Sequence, residues 1–140
     1  MYQDNIPLPH HPDPWIELTW RYVAKAVQAL RTSGLNVERS WLDPRDPRDA
    51  TILYSGPGQA HQRALVWDEM TGWRHGRFES GQPGVRTELS EVSYLGGGIL
   101  MGDAELMGRL LAHASEPRRE YRSVTDLHDG MDDELTHRFD

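Results

Sequence analysis

From Trp15 to Leu30 apolar residues recur at steps of three and four, and after Gly34 that period gives way to short β-prone runs separated by glycine, proline and acidic residues. One helix followed by a sheet is the arrangement such a change of period dictates. Trp15, Leu18, Tyr22, Val23, Ala26, Val27 and Leu30 fall on one face of the helix, with Glu17, Arg21, Lys25, Gln28 and Arg31 on the other. Asp13-Pro14 has the chemistry of an N-cap followed by proline at the first helical position, and Gly34 that of the residue just past the end. A single unbroken helix between them is predicted, with Trp15 on its buried face.

The β-prone runs fall at 37–42, 51–54, 64–67, 73–78 and 85–95. Asp-Pro-Arg units between Asp43 and Asp49 predict a stiff, exposed connection, because proline removes a donor and biases its predecessor away from helix. Asp68 to Gly72 reads as the turn of a hairpin. A three-residue loop there sets Trp67 opposite His75, and a four-residue loop sets Val66 there. Leu89 and Val92 break alternation, which calls for a bulge. Gly96-Gly97-Gly98 suits a tight reversal at positive φ, and Asp103 is the expected cap of a second helix carrying Leu106, Met107, Leu110, Leu111 and Ala114. The expected fold is therefore α+β: an antiparallel sheet of four to five strands packed against an N-terminal and a C-terminal helix, in helix–strands–helix order. This domain spans 13–114. Residues 1–12 are expected to be a flexible leader, and 115–140 a charged, mobile tail with a short helix near its end that the core does not need.

The block from Ala64 to Trp73, followed by Tyr94-Leu95-Gly96-Gly97-Gly98-Ile99-Leu100 and an acidic-capped helix, resembles an uncharacterised family of small actinomycete proteins. That family has an N-terminal helix, strands with a Trp-Asp-Glu turn and a Gly-Trp return, a Leu-Gly-Gly step and a closing helix. The resemblance covers residues 15–114; the chain departs from it in the long tail and at Met101-Gly102, where a proline-containing helix start is usual. It implies no activity, so no functional residue carries over from it.

Composition narrows the partners. The chain has no cysteine, which removes disulfides and thiolate metal sites, and its net charge is −7. Such a balance disfavours a nucleic-acid partner. No apolar run is long enough to span a membrane, and a cytoplasmic location is expected. The arginines, fourteen of the fifteen basic residues, are scattered.

Candidate sites are few. Asp68, Glu69 and His75 lie within eight residues across one turn, a carboxylate–histidine set that could run acid–base chemistry. Acidic residues in a turn serve local hydrogen bonding more often, so these are weak catalytic candidates. His10, His11 and Asp13 near the start, and Asp126, His128, Asp129, Asp132, Asp133 and His137 in the tail, lack the spacing of a known metal site, and no metal or cofactor is assigned. Five tryptophans in 140 residues exceed what so small a core usually absorbs, and Trp20 and Trp73 are the two expected at the surface. The favoured function is a non-catalytic protein-interaction or regulatory module, homodimeric or docking on another protein, that acts through Trp20, Trp67, Asp68, Glu69, Trp73 and Tyr94. The alternative is a small enzyme or small-molecule-binding protein with a pocket between helix and sheet, lined by Trp67, Trp73, His75 and Tyr94.

Overall fold

The computed structural model describes residues 8–43, 47–56, 61–122 and 131–138. Its elements are α1 (Pro14–Glu17), α2 (Trp20–Thr32), β1 (Asn36–Asp43), β2 (Asp49–Ser55), β3 (Arg63–Asp68), β4 (Gly72–Gln82), β5 (Val85–Tyr94), α3 (Asp103–Leu111) and α4 (Met131–Arg138). The five strands form one antiparallel meander in the order β1-β2-β3-β4-β5, with helices before and after it.

The predicted single helix is two. The Asp13 side chain caps α1 by accepting from the Trp15 amide at 2.9 Å, but Thr19 folds its hydroxyl back onto the Ile16 carbonyl at 2.8 Å and starts α2 afresh. Trp15, left on the short first piece, is only half-buried. Gly34 ends α2 as expected. At φ 92° it closes a paired C-terminal motif in which its amide reaches the Arg31 carbonyl and the Leu35 amide the Leu30 carbonyl.

Alternation along the strands sorts the sheet into two faces. Ile52, Tyr54, Leu65, Trp67 and Trp73 point to the helices and join Tyr22, Val23, Leu30, Leu106 and Leu110 in the main core. Trp41, Leu53, Ala64 and Val66 point the other way into a second, smaller cluster, against which Phe78 and Leu89 pack. No helix covers that second face among the described residues; the sheet covers itself. Thr51 on β2 and Thr87 on β5 share a hydrogen bond of 2.6 Å, although three strand spacings separate them, roughly 14 Å in a flat sheet. The β4–β5 hairpin must therefore curl over β2. Its bulges supply the bend: β5 carries an extra residue opposite the His75–Arg77 step, with Glu91 at φ 53°. That is the bulge expected from Leu89 and Val92.

The glycine triplet reverses the chain with φ of 72°, 86° and 88°, and aromatic donors tether the segment that follows. Trp67 Nε1 donates to the Ile99 carbonyl at 2.8 Å, and Tyr22 donates to the Met101 carbonyl at 2.7 Å while accepting from Trp73 Nε1 at 3.0 Å. The N-cap of α3 is Gly102, with Asp103 one residue inside the helix.

Described residues from the leader and the tail pack against the domain. In the leader, Leu8 is buried and its carbonyl accepts from Trp20 Nε1 at 2.9 Å, while His10 and His11 both bond Glu17. In the tail, Glu116 bridges to Tyr94, the Tyr121 amide reaches the Met70 carbonyl, and Met131 and Leu135 of α4 sit in the main core. These segments are parts of the fold because each carries an apolar or hydrogen-bonding residue that the sheet lacks. Of the tail's metal candidates, Asp126, His128 and Asp129 lie outside the described residues, as do residues 1–7 of the leader.

Candidate functional site

The hairpin that the tryptophans single out is interior. Asp68 pairs with Gly72 and Trp67 with Trp73, leaving a three-residue loop, and His75 stands opposite Leu65 rather than Trp67 or Val66. Trp67 and Trp73 are both 0% exposed. The expectation that Trp73 reaches the surface fails because both indoles find partners distant in sequence, the Ile99 carbonyl and the Tyr22 hydroxyl. Trp20 is half-buried, stacked on His10 with ring centroids 4.0 Å apart, and Tyr94 is half-buried on β5.

The two turn carboxylates are committed to structure. Asp68 accepts from the Met70 and Thr71 amides, the Thr71 hydroxyl and Arg74 Nη1, all within 2.8 Å. Glu69, almost fully enclosed, accepts from the Arg48 amide (2.5 Å), Nε (3.1 Å) and Nη2 (2.8 Å), and from Arg122 Nη1 (2.6 Å). Arg48 also donates to the Trp15 carbonyl and to Asp132, and its guanidinium lies 4.5 Å from the Trp15 ring centroid. Arg48 and Asp49, read from sequence as part of an exposed connection, are therefore buried. Asp68 and His75 also occupy opposite faces of the sheet, so the suspected acid–base set is not assembled.

His75 belongs elsewhere. It shares the helix-facing side with Trp73 and lines a cavity of about 170 Å³ between the sheet and the end of α3. Tyr54 and Arg63 are register partners on β2 and β3, and both line the same space, together with His113, Leu35, Leu110 and Leu111. Arg63 Nη2 lies 3.3 Å from His75 Nδ1, and the Tyr54 phenol interacts with the same guanidinium. Burial pushes the His75 pKa down, and the neighbouring Arg63 charge adds to that. Its Nε2 is buried and makes no hydrogen bond of acceptable geometry among the described residues, although the nearby Ala114 backbone slightly favours the charged ring. Burial also raises the Tyr54 pKa. His113 adopts φ 56°, a left-handed conformation costly for a residue with a Cβ. It occupies the position where glycine usually ends a helix: its amide bonds the Leu110 carbonyl, and the Ala114 amide bonds that of Arg109.

A second polar cluster lies inside the curl. Asp43, Asp49 and Asp68 occupy successive register positions on β1, β2 and β3, answered by Arg86 on Asp49 and Arg74 on Asp68, each at 2.8 Å. Asp49 is 3% exposed and its Oδ1 has no partner among the described residues. Burial, reinforced by Asp43, raises its pKa to about 7. No cluster of three or more potential metal ligands occurs among the described residues.

Fold and site together define an α+β domain with a curled five-stranded meander, helices on one face and a small polar pocket at the edge of the helix–sheet interface. The family of unknown function DUF6292 matches residues 22–113, and the chain belongs to it. Every residue named on the pocket wall falls inside that segment, whereas α1, Arg122 and α4 fall outside it. No curated protein and no solved structure matches the chain.

Proposed function

We infer that this protein is a small-molecule-binding module whose ligand occupies the cavity between α3 and the sheet. One observation carries the reading: the Arg63 guanidinium, with no carboxylate partner among the described residues, lines a cavity with Tyr54 and His75. A guanidinium without an ionic partner is a donor that the acceptor of a bound ligand satisfies. The left-handed His113 on the same wall adds strain at the same place. The reading is one of binding rather than catalysis. A general-base histidine is oriented by a group that accepts from its Nδ1–H, and here Nδ1 faces a guanidinium, which has no acceptor. The test is protein-observed NMR of the full chain against a diverse fragment library, following the His75 and His113 ring signals. Fragments that shift both sets support the pocket; a library that shifts neither removes it.

A protein partner is the second reading, and Trp20 is the observation that favours it. This indole is half-buried on a cleft of about 450 Å³ that it lines with Leu18 and Leu135. The contact surface is then the cleft, since the hairpin tryptophans lie inside. Sedimentation that shows concentration-dependent self-association lost in Trp20→Ala supports it, and a monomer at every concentration tested removes the homodimer.

A further inference from the structure

We propose that the ligand of this pocket is a small monocarboxylate with an apolar body, its carboxylate held by the Arg63 guanidinium beside Tyr54 and His75. The proposal rests on the cavity being a ligand site and names the chemistry that fits it. A guanidinium only donates, so the Arg63–His75 contact of 3.3 Å requires Nδ1 to accept. The neutral ring then carries its proton on Nε2, the atom with no partner among the described residues. The Arg63 guanidinium and the Tyr54 hydroxyl that contacts it thus bring donors to one cavity.

Charge agrees with this donor set. Arg63 has no carboxylate partner among the described residues: its contacts are His75 and Tyr54. By contrast Arg48, Arg74, Arg86, Arg109 and Arg122 each have one. A planar carboxylate matches the guanidinium fork. Beside Gly56 and His113 the wall carries Leu35, Leu110 and Leu111, which an apolar body covers and a phosphate leaves unmatched. About 170 Å³ is close to the size of an engineered cavity that takes up benzene, so the body is a ring or a short branched chain.

Titration calorimetry and NMR of the full chain with benzoate, benzamide and inorganic phosphate decide the matter. Benzoate is expected to bind and shift the His75 ring signals, with benzamide about tenfold or more weaker. Arg63→Gln is expected to reduce benzoate to the level of benzamide, and Arg63→Lys, which keeps the charge without the fork, to fall between. If Arg63→Gln does not fold, the lysine variant carries the comparison. Benzamide binding as tightly as benzoate overturns the carboxylate and leaves the pocket standing as a ligand site. Phosphate binding more tightly than benzoate overturns the apolar body. If no probe shifts the His75 signals, the pocket reading falls with the proposal.

Discussion

Arg48 and Glu69 form an almost fully enclosed pair, side chains 1% and 2% exposed, with Arg48 Nη2 2.8 Å from Glu69 Oε1. Their backbones also pair, the Glu69 amide donating to the Arg48 carbonyl at 3.1 Å. This contact fastens the entry to β2 onto the β3–β4 turn, and through Trp15, Arg122 and Asp132 it gathers both chain ends. Removing one member of a buried pair costs about 3–5 kcal/mol when the remaining charge is left uncompensated, whereas here Glu69 keeps Arg122 and Arg48 keeps Asp132. Glu69→Leu and Arg48→Met are each expected to lose less than that upper figure, about 1–3 kcal/mol, in chemical denaturation. The double variant Arg48→Met/Glu69→Leu is expected to lose less than the sum of its single changes. Strict additivity would show that the two residues do not act as a pair.

The C-terminal helix is held by apolar burial as well as by charge. Leu135 is 2% exposed within the main core, so Leu135→Ala is expected to cost about 2–5 kcal/mol. Truncation after Ser115 is expected to lower the melting temperature further, since it also removes Arg122 and Met131. An unchanged melting temperature in the truncated chain would show the tail to be dispensable after all.

What was legible in the sequence was local. Asp13 before Pro14, Gly34 at a helix end, the hairpin residues from Asp68 to Gly72 and the broken alternation at Val92 each act through neighbours a few residues away, and the elements they predict are present. The burial of Trp67 and Trp73 depends on Ile99 and Tyr22, and that of Arg48 on Glu69, 21 residues on. No local pattern encodes those meetings. His75 stood out from the start but with the wrong companions. A register with Trp67 opposite Trp73 puts it on the helix side with Tyr54 and Arg63, away from Asp68. The acid row is not legible locally because Asp43 and Asp49 bracket the segment that holds Pro44 and Pro47, a context that reads as loop until strand pairing aligns them.

That row makes stability depend on pH. The Asp49 carboxyl titrates near pH 7 in the fold and near the ordinary aspartate value, about 3.9, when unfolded. The folded state therefore binds the extra proton between those values. The contribution is fully present below about pH 4 and is lost as pH rises through 7. At about 1.4 kcal/mol per pKa unit the upper limit is roughly 4 kcal/mol, the opposing pull of Arg86 already being part of that balance. Melting temperature measured from pH 4 to 8 is expected to fall more steeply in the native chain than in Asp49→Asn. Parallel profiles would place the titrating group elsewhere.

His113 separates stability from binding. Its φ of 56° closes α3 where glycine would do so without strain, and a left-handed residue with a Cβ costs about 1–2 kcal/mol. His113→Gly is expected to stabilise the unliganded protein by about 1 kcal/mol, because the glycine's greater freedom when unfolded takes back part of the relief. The same change removes an imidazole from the pocket wall, so affinity for the bound anion is expected to drop. Ligand affinity unchanged in the more stable variant would assign His113 to helix termination alone.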